Sequence, residues 1–184
     1  MHGRIESNLL SRKLGSLHDN IRRENTHVKV FQRLCDIFHQ NSFANINTES
    51  SKLRTYSLFK KYIGRETYLN SIQNIDARIS FTKFRLSNYT LMIEKGRHKN
   101  IEKNQRFCPF CPNMIEDEVH FLLDCKRFEN CRKIFLENIC AITREPLPRE
   151  KTLLFTYLMS CELTTGLTAQ YIIDTLQTRE LLLI

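Results

Sequence analysis

Proline and glycine are scarce in this 184-residue chain, with four of the first and five of the second. That scarcity argues against a β-rich fold with many tight turns and against a disordered chain, and no repeat or low-complexity tract stands out. No stretch reaches 18 uncharged apolar residues, the length that marks a membrane-spanning helix. Residues 1–16 mix basic and apolar side chains and lack the continuous apolar segment of a secretory signal. The expectation is a soluble, intracellular protein, with nucleus or cytoplasm left open. Catalytic motifs are missing too. There is no H-E-x-x-H, G-x-S-x-G or G-x-G-x-x-G, no G-x4-G-K-[ST] phosphate loop, and no Tyr-x-Asp-Asp or similar aspartate pair for polymerase magnesium. The chain is therefore not expected to be an enzyme on its own.

What the sequence does contain is helical spacing. Hydrophobic residues are 41% of the chain and charged residues 26%. Val28, Phe31, Leu34, Cys35 and Phe38 recur at steps of three and four, and Leu53, Tyr56, Phe59, Lys60 and Ile63 do the same before Gly64. The polar run Asn41 to Ser51 reads as the loop between these two helices. From Asp76, the residues Ile79, Phe81, Phe84, Leu86, Tyr89, Leu91 and Ile93 fit either a strand or a helix. The absence of Gly and Pro over that length favours one helix ending near Gly96. Phe128, Cys131, Phe135, Leu136 and Ile139 form another stripe, stopped by Pro146 and Pro148. Helices over Thr152 to Cys161 and Thr168 to Leu183 follow, separated by a break at Gly166. The expected fold is all-α, a small helical domain stapled by one metal site. Its regions are 1–76, an N-terminal helical part; 77–145, a basic helix with a zinc unit and the following helix; and 146–184, a helical pair.

Seven cysteines are an odd number in a chain long enough to build its own core, and three of them share a short window with a histidine. Cys108, Cys111, His120 and Cys125 have the spacing C-x2-C-x8-H-x4-C. A C-x2-C pair places two thiolates on a tight turn, and a later His and Cys complete a tetrahedron around one structural zinc ion. Glu116, Asp117 and Glu118 suit the first turn of a short helix, opposing the positive end of its dipole. Val119, Leu122 and Leu123 would face the core. Residues five apart stand about 140° apart around an α-helix, so the last turn must loosen and Cys125 should lie at or beyond the helix end. Cys131 is the rival fourth ligand, though its place on an apolar stripe reads as core. Cys108-Pro-Phe-Cys111 also has redox spacing, but no βαβ pattern surrounds it. His2, His18, His27, His39 and His98 read as surface residues.

The sequences Phe84-Arg-Leu-Ser-Asn-Tyr89, Ile93-Glu-Lys-Gly-Arg97, Arg106-Phe-Cys-Pro-Phe-Cys111 and Ile115-Glu-Asp-Glu-Val-His-Phe-Leu-Leu-Asp-Cys125 together resemble a known segment. It is the zinc-binding segment found after the polymerase core in reverse transcriptases of non-LTR retrotransposons. The resemblance spans Phe84 to Arg132. It implies that Cys108, Cys111, His120 and Cys125 are metal ligands, that a reverse transcriptase core is a partner, and that the chain is the C-terminal tail or remnant of such an element. It further implies a role in holding element RNA or target DNA.

Charge points the same way. The net charge is +8, with a pI near 9.2. Residues 78–107 carry eight Lys and Arg against two acids, whereas residues 108–125 carry no base and four acids. A clustered basic segment is the electrostatic footprint of a nucleic-acid binder. Its expected phosphate contacts are Arg78, Lys83, Arg85, Lys95, Arg97, Lys99, Lys103 and Arg106, with Tyr89, Phe107 and Phe110 as stacking partners. The competing reading has Phe107 and Phe110 packed on the metal turn and the charges forming a solvated face, in a structural or protein-interaction domain whose zinc only pins helices.

Overall fold

The structure, a computed structural model, describes residues 26–46, 53, 55–60, 62 and 64–184. The chain divides into two units, Met1–Thr48 and Glu49–Ile184. The described part of the first is a single helix, α1 (Thr26–Ile46). It carries the expected stripe through Val28 and Phe38, but it also runs on through residues 41–46, where the polar composition had indicated a loop. Phe43 and Ile46 continue the three-residue apolar step there, and no Gly or Pro interrupts it. Expectations for residues 1–25, for 47–52 and for Ile63 lie outside the described residues.

The second unit contains α2 (Tyr56–Phe59), α3 (Tyr68–Ser71), α4 (Ile75–Arg85), α5 (Met92–His98), α6 (Glu129–Thr143), α7 (Lys151–Ser160) and α8 (Thr165–Leu181). Among the described residues there is no strand, only one isolated antiparallel bridge between Phe107 and Ile115. The fold is all-helical, as the periodicity indicates. No described helix is long and apolar enough to cross a membrane.

Two expected helices have different bounds. Among the described residues of the stretch from Leu53, only the one turn of α2 is helical. The single helix expected up to Gly96 is two, α4 and α5, separated by residues 86–91. Asn74 caps the start of α4 by accepting from the Ala77 N–H at 3.0 Å. Its end closes when Asn88 N–H bonds Lys83 O at 2.8 Å and Ser87 N–H bonds Phe84 O at 3.1 Å. Ser87 sits at φ 52°, the left-handed position that usually takes glycine. Its hydroxyl donates to Thr55 Oγ1 at 3.1 Å inside the core. The chain therefore turns at a serine held by a tertiary contact. Similarly, α8 begins before Gly166, because Cys161 O accepts from both Thr164 and Thr165 N–H at 3.1 Å and closes the turn earlier.

α8 packs most extensively on α4, and α7 packs on α2 and α8. Phe81, Phe84, Phe121, Leu122, Ile139, Phe155, Leu158 and Ile172 belong to one buried cluster, so segments from all parts of the second unit share a core. Each such side chain contributes on the order of 1.5–3 kcal/mol by leaving water.

Two arginines are buried in this apolar interior. Arg179 of α8 is fully buried and grips Glu116 with two bonds, Nε to Oε1 and Nη2 to Oε2, each 2.7 Å. Arg85 lies against the rings of Phe59 and Tyr68, at 4.1 and 4.8 Å from their centroids, and donates to Glu66 at 2.5 Å and to the Met159 carbonyl. Breaking a buried pair from one side costs about 3–5 kcal/mol because the other charge is stranded. Arg179→Met should accordingly lower the unfolding free energy in urea by about that amount, and the double variant Glu116→Gln, Arg179→Met should recover part of it. An Arg179→Met protein as stable as the parent would contradict the role of this pair.

Candidate metal centre

The cysteine turn is a small hairpin. Glu116 N–H donates to Arg106 O at 2.9 Å and Cys108 N–H to Met114 O at 2.7 Å, on either side of the Phe107–Ile115 bridge. Asn113, at φ 59°, reverses the chain, a conformation asparagine tolerates better than most residues. Both cysteine sulfurs project inward and are buried.

The acidic run leads from this hairpin into a helical turn. Asp117 caps it, its Oδ1 accepting from His120 N–H at 2.8 Å. Residues His120–Asp124 are π-helical, and Cys125 N–H bonds His120 O at 2.8 Å. A bond spanning five residues widens the turn and brings His120 and Cys125 toward the same side, which resolves their angular mismatch on an α-helix. Cys125 itself leaves the helix, with φ −57° and ψ 118°. Leu122 is fully buried and Val119 and Leu123 pack against the core, as their spacing implies.

One ligand atom from each of Cys108, Cys111, His120 and Cys125 lies within 4.8 Å of the others, and all four residues are buried. The Cys108–Cys125 and Cys111–Cys125 sulfurs are 3.9 and 3.8 Å apart. Two sulfurs each about 2.3 Å from one ion at the tetrahedral angle would be separated by about 3.8 Å. The buried His120 ring faces the Cys108 sulfur, yet neither of its nitrogens has hydrogen-bond geometry, and a metal bond would satisfy one of them. Backbone N–H groups already point at the sulfurs: Lys126 at Cys111, 3.4 Å away, Phe110 at Cys108 and Arg127 at Cys125. Such donors orient and stabilise metal-bound thiolates. The Cys125 thiol donating to its sulfur holds Cys108 well below the usual thiol range, against the opposing effect of burial. The same contact, with burial, pushes Cys125 up. The group is a four-residue set that could hold one metal ion, and Cys131 is not part of it. That residue is exposed on α6, so it is neither a ligand nor the core residue its stripe implied.

The acids following the hairpin do more than start a helical turn. Glu116 binds Arg179, and its Oε2 also accepts from Met92 N–H at 2.6 Å, capping α5 rather than its own turn. Glu118 accepts from Thr55 Oγ1 at 2.8 Å. Both long-range partners are 63 residues distant, so no local pattern pointed to them.

The basic residues separate into two groups. Arg85 is buried beneath aromatic rings, which removes it from any exposed face. Arg106 donates to Ile93 O and Ile101 O at 2.8 and 2.9 Å, and its side chain passes so close to Gly96 that a Cβ there would meet it at 2.5 Å. Arg78 holds the carbonyls of Leu69 and Ile72. These three arginines serve the fold. Lys83, Lys95, Lys99 and Lys103 are exposed, as is Arg97, which pairs with Glu94 at 2.9 Å. Of the aromatic residues, Phe110 packs edge-on against Phe128 and Tyr89 against Phe84, whereas Phe107 stays 41% exposed.

Metal analysis after purification without added metal should give about one ion per chain, absent from Cys108→Ser and Cys125→Ser but retained in Cys131→Ser. Absence from Cys131→Ser with retention in Cys125→Ser would overturn the ligand set. Because the thiolates and imidazole must be deprotonated to bind, the ion should be released as pH falls, which a chromophoric chelator would follow. Comparison of the chain with protein-family models, with curated proteins and with solved structures found no match, so the geometry of this chain carries the functional argument.

Proposed function

We propose that the protein is a zinc-stabilised, non-catalytic module that binds RNA or DNA, of the kind that follows the polymerase core in non-LTR reverse transcriptases. The convergence of three cysteines and one histidine on one point is the observation that carries this reading. Thiolate-rich tetrahedral sets suit zinc, and four protein ligands leave no position for substrate or activated water. The ion is thus structural, joining the cysteine hairpin to the π-helical turn. All seven cysteines are free, in keeping with a reducing, intracellular setting.

Nucleic-acid binding is supported by the exposed lysines Lys83, Lys95, Lys99 and Lys103, with Arg97 among them, in the segment just before the zinc unit. A reverse transcriptase core remains the proposed protein partner, on the resemblance from Phe84 to Arg132. A second reading, a structural or protein-interaction domain, is favoured by one specific observation. Arg78, Arg85 and Arg106, three of the eight bases expected to meet phosphate, are engaged within the fold.

Binding of labelled single-stranded RNA, single-stranded DNA and duplex DNA across a salt series separates the two readings. Affinity should fall linearly in log–log form with salt, and replacing Lys95 and Lys99 by Gln should reduce the slope by about one for each of the two that meets a phosphate. Salt-independent or absent binding would overturn the nucleic-acid reading and favour the structural one.

A further inference from the structure

Resting on the nucleic-acid reading, we propose that the groove at the C-terminal ends of α4, α5 and α8 receives one unpaired guanine of a single strand, with Glu180 as the specificity-determining residue. The groove has a volume of about 380 Å³ and is lined by Lys83, Asn88, Tyr89, Lys95, His98 and Glu180, with Thr90 and Glu94. It falls within the range of roughly 300–1,000 Å³ usual for small-molecule pockets and is larger than a simple ion requires.

Its chemistry narrows the ligand. A phosphate alone would be held by Lys83 and Lys95 but repelled by Glu180, and a cationic side chain would meet the reverse problem. A ligand that satisfies both the lysines and the carboxylate carries an anionic group and a hydrogen-bond donor, as a nucleotide does. Glu180 lines the groove, and its Oε1 accepts from the exposed Thr90 Oγ1 at 3.1 Å, leaving Oε2 and the second lone pair of Oε1 for a ligand. The half-buried Tyr89 is steadied by edge-on contact with Phe84, centroids 6.1 Å apart, and lines the groove as the aromatic partner a base could stack on.

The base follows from the donors each one offers. Guanine carries N1–H and N2–H2 side by side on its Watson–Crick edge, matching the two oxygens of a carboxylate. Adenine and cytosine each place a single amino group beside a ring acceptor that would face the carboxylate unfavourably. Uracil and thymine flank one N–H with two carbonyls. A duplex hides this edge, so the groove reads an unpaired base, as single-strand readers do.

The test uses the full chain loaded with zinc and fluorescence anisotropy on labelled hexanucleotides of adenine and cytosine with guanine, inosine or adenine at one central position. RNA and DNA versions distinguish the two sources of the base. The guanine strand should bind about tenfold tighter than the adenine strand, the return expected of one bidentate contact. Inosine, which lacks the N2 amine, should fall most of the way to adenine, and Glu180→Gln should abolish the guanine preference. The inosine comparison uses the unaltered protein and so needs no folded variant. Equal binding of all three strands with a normal salt slope, or a guanine preference that survives Glu180→Gln, would overturn the pocket while leaving the nucleic-acid reading in place. No binding of any strand would overturn both.

Discussion

The buried carboxylate of Glu116 is the constraint on which the arrangement of the second unit depends. Its oxygens accept from Arg179 of α8 and from the N-terminal N–H of α5, while its own backbone pairs with Arg106 and Ile93. One residue thus joins the cysteine hairpin, the basic segment and the C-terminal helix. A carboxylate out of water is costly unless paired and hydrogen-bonded, and Glu116 is both. Since Asp117, Glu118 and His120 follow directly, the position of Glu116 also sets where the π-helical turn starts.

From that anchor the candidate metal site follows. The hairpin fixes Cys108 and Cys111, Asp117 starts the turn, and the five-residue hydrogen bond delivers Cys125 beside them. Rings of Phe84, Phe121, Phe128 and Phe110 run in contact from the core to the hairpin, so the ligands rest on packed aromatic side chains. Arg132 of α6 donates to Cys125 O at 3.0 Å and ties the following helix to the same point. An ion held here would bind one of the buried ring nitrogens of His120, which no hydrogen bond satisfies.

The ligand set was legible in the sequence because its information is local: two cysteines on a turn, then a histidine and a cysteine on one short helical segment. The stripes in α6 and in the first part of α1 were legible for the same reason, since periodicity needs no partner. What escaped was decided by tertiary contacts. Ser87 takes a left-handed turn without being glycine, because Thr55 holds its hydroxyl, so the α4–α5 break carried no breaker residue. Arg85 read as a surface base on an amphipathic helix, yet the aromatic cluster around it and Glu66 keep it inside. Glu116 read as a helix-dipole charge because Arg179 is distant in sequence. Cys131 fitted the apolar spacing of α6 but sits at its exposed margin.

Zinc K-edge absorption on the protein as purified would test the central claim most directly. Three sulfurs at about 2.3 Å and one imidazole nitrogen at about 2.0–2.1 Å would match a closed structural site built from Cys108, Cys111, Cys125 and His120. An ion with two or more oxygen ligands, or a protein that takes up no zinc, would contradict it.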